Sequence, residues 1–324
     1  HRGGPSGPPP WFGRLGSMDD VTDWLLEGDP AVRWRTRRDL LGEPHGTDQA
    51  LVATDGWGAR LLAEQDPDGL WDGGLYSPKW TSTTYTLLML RRLGLDAGNE
   101  QAIVGCRRLF DEARWIRGGI SYWKTHTEPE TCVNSMILAL AAWFDLDDDR
   151  VHGLAECVLA DHLPDGGWNC ELWRGATHSS FHTTISALEG LSEYGRRFAD
   201  RDVENALAAG REFLNVHGMY RSHRTGEVID PVFGRTPLFP RWHFDILRGL
   251  EHCADVGATR DERLAEVVEM LEDRRRPDGT WAANQRFSGR VWFSPERAGI
   301  ASRWNTLRVM RVLRWWGGET VVAG

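Results

Sequence analysis

One turn, written three times, limits what this chain can fold into. The segments "EQDPDGLW", "DHLPDGGW" and "RRRPDGTW" end at Trp71, Trp168 and Trp281, and each follows a helix-like stretch. Pro-Asp-Gly stops a helix and reverses the chain, because proline cannot continue the ladder and glycine tolerates positive φ. Two weaker copies, "RGGISYW" around Gly119 and "NVHGMYR" around Gly218, fall between them. Five units of roughly 50 to 60 residues result, a period that belongs to stacked helical hairpins.

A second helical segment follows each turn: "TSTTYTLLMLRRLGL", "TCVNSMILALAAWF", "HTTISALEGLSEYG", "HFDILRGLEHCADVG" and "SRWNTLRVMRVLRWWG". Their apolar residues recur at three- and four-residue steps, and strand-like alternation is essentially absent. The second helix of each pair is the more apolar, so it is expected inside and its charged partner outside. With 324 residues the chain can bury a sizeable core. Its net charge of −9 argues against a nucleic-acid partner, and no apolar run is long enough for a transmembrane segment. Five scattered cysteines suggest a reducing, cytoplasmic setting. The Gly/Pro-rich residues 1–17 read as an expression tag or vector remainder ahead of a single domain over 18–324. Seventeen tryptophans are far above the usual share, and such side chains bury large areas or line sites.

The pattern Gln-x-x-x-Gly-x-Trp at Gln65, Gly69 and Trp71 resembles the repeat of squalene–hopene cyclases and their relatives. That group shares an α/α toroid with the β subunits of protein prenyltransferases. The resemblance spans most of residues 20–318, although only one repeat keeps the glutamine. It implies an all-α toroid of five to six hairpins, with "DPAVRWRTRRDLL" contributing the opening helix. In such a toroid the inner helices point their N-termini into one end of a central cavity, and that end favours anions and thiolates.

The five inner mouths hold the candidate site residues. Thr83, Thr131, Thr183 and Thr306 read first as helix caps. Lys79, Arg241 and Arg303 are expected as a basic rim for a diphosphate or carboxylate, with Trp80, Trp242 and Trp304 walling an apolar pocket. "SSFHTTISALEGLS" is similar to the prenyltransferase segment that carries a zinc-binding histidine. Glu130-x-Cys132 stands where that family has Asp-x-Cys. The resemblance therefore implies zinc held by Cys132, Cys170 and His182, although aspartate is missing and Pro129 precedes Glu130. A Cys/His cavity without metal remains the alternative. Glu130, His182, His243 and Asp245 are the candidate acids and bases, and Glu171 is a further well-placed carboxylate. His243 and Asp245 are too close in sequence to share a helix face. "DLDDDR", Asp145 to Asp149, matches the acid string of the cyclases but falls after an inner helix, so it reads as a cap at the solvent end. The long connection from Tyr220 to Arg241, with "GEVIDP", has the length of a lid.

The expected function is an enzyme of the terpenoid cyclase and prenyltransferase group. It would act on a small hydrophobic or lipid-like substrate, isoprenoid or carrying an anionic head. A metal-free acid/base cyclase or isomerase and a non-catalytic lipid- or peptide-binding toroid stay open. Prenyltransferase β subunits need an α partner; nothing in the sequence indicates a protein partner here.

Overall fold

The computed structural model describes residues 18–284 and 287–318, so the expected tag lies outside the described residues. The fold is all-α. Its helices are α1 (Met18–Leu26), α2 (Pro30–Arg35, continued by a π-helical turn Thr36–Leu41), α3 (Gly46–Leu51), α4 (Gly56–Leu62), α5 (Thr83–Leu93), α6 (Glu100–Asp111), α7 (Thr131–Trp143), α8 (Arg150–Ala160), α9 (Phe181–Arg197), α10 (Arg201–Val216), α11 (Ile246–Asp255), α12 (Ala265–Glu272) and α13 (Arg303–Trp316). Among the described residues the strands form two short antiparallel pairs, β1 (Arg114–Ile116) with β2 (Gly119–Ser121) and β3 (Trp281–Ala282) with β4 (Ala301–Ser302). The first replaces the Pro-Asp-Gly turn of the second repeat, its tip built on Arg117 and Gly118, both at positive φ.

Helices α5, α7, α9, α11 and α13 are buried nearly all round, whereas α6, α8, α10 and α12 bury one face. The buried set is the inner ring, and neighbouring members pack against each other in sequence order. Helix α2 is the sixth inner member. It packs on α13, and the Trp34 indole N–H donates to Leu93 O of α5 at 2.8 Å. The outer layer is closed by the first helix, α1, which lies against the last, α13: Arg303 Nε donates to Trp24 O at 2.7 Å. Six hairpins therefore form a closed α/α barrel whose final pair joins the two ends of the described chain.

The repeated turn explains why each hairpin has one geometry. Gly69, Gly166 and Gly279 sit at φ of 89°, 97° and 81°, where a side chain would be strained. The indole N–H groups of Trp71, Trp168 and Trp281 donate at 2.7 Å to Leu61 O, Val158 O and Leu271 O of the preceding outer helix. Their backbone N–H groups donate to Thr83, Thr184 and Thr306 Oγ1 of the following inner helix, at 3.0, 3.0 and 2.9 Å. Each tryptophan thus ties an outer helix to its inner partner. The threonines correct one sequence expectation. Thr83 and Thr306 do not cap their helices; they accept the N–H of the signature tryptophan, and Thr184 rather than Thr183 does so in the third full repeat.

The far end of the barrel, where the inner helices end, is polar. A cavity of about 70 Å³ there is lined by Arg35, Arg38, Arg91, Arg92, Arg196, Arg248, Arg308 and Arg311 with Glu189, Glu193, Glu251 and Asp255. Asp39 joins them through Arg38 and Arg311. Eight guanidinium groups thus face five carboxylates. Six helix C-termini converge on the same region, and the partial negative charge at each favours the arginines there. Several arginines bond those ends directly: Arg35 NH2 donates to Arg92 O at 2.8 Å, Arg197 NH1 to Leu146 O at 3.1 Å, and Arg314 to Leu40 O.

Candidate functional site

At the opposite end the inner N-termini are covered by two loops, 217–245 and 287–302. The Trp80 indole N–H donates to Ser288 O at 2.8 Å and its backbone N–H to Arg290 O at 3.0 Å. The Trp292 indole N–H donates to Thr86 Oγ1 at 3.0 Å, and that of Trp304 to Leu238 O at 3.1 Å. Beneath them lies a cavity of about 30 Å³ walled by Trp80, Met89, Phe239, Arg241, Phe287 and Phe293. The long Tyr220–Arg241 connection, read in the sequence as lid-like, thus contributes part of this cover.

The mouth is aromatic and contiguous. Tyr76 lies 5.1 Å, centroid to centroid, from both Tyr85 and Trp123, and Trp123 stacks on His126 at 5.2 Å. The exposed Lys79 extends its ammonium among three rings, 5.5 Å from Tyr76, 5.7 Å from Trp80 and 5.4 Å from Trp242. Arg241 holds its guanidinium 5.6 Å from the Trp80 ring and donates to Met89 Sδ at 2.7 Å. Four of the six expected rim and wall residues are therefore together: Lys79, Trp80, Arg241 and Trp242. Arg303 is elsewhere. It turns outward onto α1, over the Trp24 ring and beside Glu27. Trp304 is inside the barrel against Phe239, 5.7 Å away. The N-terminus of α13 has its own anion, since Glu296 accepts from the Arg303 and Trp304 N–H groups at 2.9 and 3.3 Å.

Among the candidate acids and bases, Glu130, His182 and His243 reach the aromatic mouth, and Glu130 is the carboxylate there. Its carboxylate lies 3.4 Å from His126 Nδ1, and burial pushes its pKa up while His126 and Lys79 pull it down. Glu171 sits apart, exposed and paired with Arg174 at 3.1 Å. His182 and His243 are edge-to-face at 5.7 Å. His182 Nδ1 accepts the Phe244 N–H at 2.8 Å, which puts the proton of the neutral ring on Nε2. His243 is sandwiched between Trp242 at 3.8 Å and Phe287 at 3.7 Å. Burial, and then the Arg248 charge for His182 and the His182 ring for His243, hold both at about 4. Asp245 caps α11 through the Arg248 N–H at 2.9 Å, and burial raises it to about 6. Its buried position beside Arg248 and Arg308 separates it from the mouth.

The resemblance-based zinc set is not assembled. The Cys132 and Cys170 thiols are in hydrogen-bonding contact, but His182 is committed to the segment before α11 through the Phe244 N–H, with its ring against Trp242 at 5.1 Å and Phe233 at 5.5 Å. Among the described residues no group of three His, Cys, Asp or Glu side chains is arranged to hold a metal ion. The donors as placed do not fit a zinc tripod. The string Asp145 to Asp149 lies between α7 and α8 at the far end, with Asp145 paired to Arg197 at 2.7 Å and Asp148 to Arg150 at 2.6 Å.

The residues that sequence reasoning passed over are Tyr76, Trp123, His126 and Phe287. Tyr76 and Trp123 carried a signal, because each follows a repeat turn directly in "LYSPKW" and "ISYW".

No protein-family model matches this chain, and no curated protein matches it. Solved structures of the type II terpene cyclase MstE from Scytonema are similar to it at 12–15% identity, covering 84% of this chain. A single-residue variant of that enzyme in complex with merosterolic acid A (product) has a TM-score of 0.34 over 97% of its own length. A second variant with geranylgeranyl dihydroxybenzoate (substrate) has 0.33, and the apo form 0.32, each over 96%. At such scores no residue of this chain is matched to a residue of those enzymes. No helix of the described residues is long and apolar enough to cross a membrane.

The buried histidines give the fold a pH dependence. His182, His243 and the buried His252 sit at about 4 against 6.5 in an unfolded chain. The unfolded state therefore takes up protons that the folded state refuses, and stability is lost as pH falls from 6.5 toward 4. Asp245 acts oppositely. Held at about 6 against 3.8, it keeps its proton when folded and loses stability as pH rises through that window. Three groups against one predict a lower urea midpoint at pH 5 than at pH 7, with a steeper loss in Asp245→Asn, which keeps the cap. An unchanged or higher midpoint at pH 5 would count against these placements.

Proposed function

We propose that the chain is an enzyme that takes a hydrophobic, isoprenoid-like small molecule at the aromatic mouth and carries it through a cationic intermediate, as a cyclase or isomerase does. The supporting observation is the Lys79 cage: three aromatic faces already surround a positive charge at cation–π distance. Ring faces of Tyr76, Trp80 and Trp242 would stabilise a carbocation in the same way, without supplying a nucleophile to quench it. Lys79 is exposed and can leave the cage for water or for an anionic head group on the substrate.

Glu130 is the acid in this reading. Burial keeps its carboxyl protonated to higher pH than a free side chain. Its proton adds to an alkene carbon, the cation rearranges or closes a ring, and the Glu130 carboxylate takes a proton back from a neighbouring carbon, directly or by way of His126, which passes it on to Glu130 3.4 Å away. The sequence is redox-neutral and returns the site to its starting protonation state. The two covering loops must part to admit the substrate, then exclude water from the cation.

A long-chain trimethylammonium amphiphile mimics the intermediate, and the equally long alcohol is its neutral control. The ammonium compound is expected to bind more tightly, read by tryptophan fluorescence. Trp80→Ala with Trp242→Ala should weaken it by about tenfold or more, from roughly 0.5–2 kcal/mol per ring, while the alcohol changes less. Glu130→Gln should abolish turnover of isoprenoid alkenes without weakening the ammonium ligand. Equal loss for both ligands, or turnover surviving in Glu130→Gln, would overturn the reading.

A further inference from the structure

A groove of about 570 Å³ opens on the outer wall of the mouth, between the end of α8 and the loops before α7 and α9. Arg117, Thr131, Asp161, Cys170, Leu172 and Trp173 are among its lining residues. Cys170 thus faces the groove. Cys132, one residue into α7, lies behind it with its thiol against the Cys170 sulfur. The loop carrying Cys170 is fixed, because the Cys170 N–H donates to Thr183 Oγ1 at 3.2 Å and the Asn169 side chain donates to His178 O at 2.7 Å. The start of α7 is fixed as well, through Thr131 Oγ1 donating to Asp161 Oδ2 at 2.6 Å. Two thiols on separately anchored segments, both free and both half-buried, are held in contact, and of the two Cys170 lines the groove.

We propose that Cys132 and Cys170 are a redox couple that reacts with low-molecular-weight disulfides entering this groove. Cys170 is the attacking thiol because it lines the opening. As thiolate it attacks one sulfur of the incoming disulfide, giving a mixed disulfide on Cys170 and releasing the first small thiolate. Cys132 then attacks the Cys170 sulfur, forms the Cys132–Cys170 bond and expels the second small thiolate. Two protein thiols are oxidised, one small disulfide is reduced to two thiols, and the two cysteine protons end on the released thiolates. The new bond would join the first turn of α7 to the loop leading into α9, beside Glu130 and Tyr76 at the mouth. Cys157 lines the same groove but belongs to α8, packed under Gly119 of β2, where an added Cβ would come within 2.6 Å of its sulfur.

The test exposes the intact folded chain to oxidised glutathione, blocks remaining thiols with a maleimide and maps the peptides. Wild type is expected to lose two maleimide-reactive thiols and yield a Cys132–Cys170 linked peptide. Cys132→Ser should stop at a glutathione adduct on Cys170, formed roughly tenfold or more faster than at the buried Cys106, Cys157 and Cys253. Cys170→Ser should form neither the link nor a comparable adduct on Cys132. A link through Cys157, adducts on Cys132 as fast as on Cys170, or no reaction in the native wild type would each overturn the proposal. The wild-type peptide map decides even if a variant fails to fold. The readout involves no turnover, so it stands or falls apart from the cationic chemistry proposed for the mouth.

Discussion

Replacing Glu189 by glutamine is expected to cost the fold about 3–5 kcal/mol, the range for breaking a buried ion pair from one side. Glu189 accepts from Arg248 Nε at 2.8 Å and NH2 at 2.9 Å, and from Arg92 NH2 at 2.7 Å, with Arg91 a further 3.9 Å away. Arg248 is only 2% exposed, and its charge has no way back to water. These guanidinium groups hold the Glu189 carboxyl well below the usual range despite its burial. Glutamine keeps the shape and removes the charge, leaving Arg248 with only the His243 carbonyl, the Ser186 hydroxyl and an amide oxygen. The far-end balance between arginine surplus and helix C-termini then shifts further positive. Urea unfolding of Glu189→Gln beside Glu262→Gln, whose partner Arg260 is exposed, separates this from generic charge loss. A midpoint shift no larger for Glu189→Gln than for Glu262→Gln would refute the account. Truncating Arg248 in the Glu189→Gln background should then cost less than truncating it in wild type, because the stranded charge is already uncompensated.

What the sequence made legible follows the range of the interaction involved. The Pro-Asp-Gly turns and the inner–outer assignment are local or periodic, and both could be read directly. The closing contact between α1 and α13 joins opposite ends of the chain and leaves no periodic trace. The far-end arginines were also hidden: on a helical wheel, Arg91, Arg248, Arg308 and Arg311 look like solvent-side positions, and only closure of the ring turns them inward. At the mouth, helix rotation decided which expectations survived. Successive residues are about 100° apart around a helix, from 3.6 residues per turn. Thr183 meets Cys170, while His182, one step back, is carried around to Phe244, just before α11. Arg303 and Trp304 diverge in the same way, one outward onto Trp24 and the other into the barrel. A motif gives the helix and the turn; the direction of one side chain needs the neighbouring helix as well.

Trp168→Ala is expected to destabilise the protein by about 3–5 kcal/mol, because nothing around the ring can move into the space it leaves. Trp168 is fully buried; its ring lies 4.7 Å from that of His162 and against Gly210 of α10, where even a methyl group would approach within 2.8 Å. The substitution also leaves Val158 O without the indole donor. Three variants divide the effect. Trp168→Phe restores most of the ring but not the donor and should cost roughly 1–3 kcal/mol for the unsatisfied carbonyl. Gly210→Ala overpacks the same contact and should cost roughly 1–3 kcal/mol in wild type. Combined with Trp168→Ala, however, the Gly210 methyl loses the ring at 2.8 Å and keeps only the Leu188 side chain, 2.9 Å away at its nearest atom, as a close neighbour, so its penalty should shrink. Equal costs for Gly210→Ala in the two backgrounds would mean that the signature tryptophan and the α10 glycine are not the coupled pair this fold requires. The same logic extends to Trp71 and Gly105 of α6 in the first repeat, where an added Cβ would come within 2.7 Å of the ring, so one physical contact, twice written, sets how closely α6 and α10 approach the signature tryptophans.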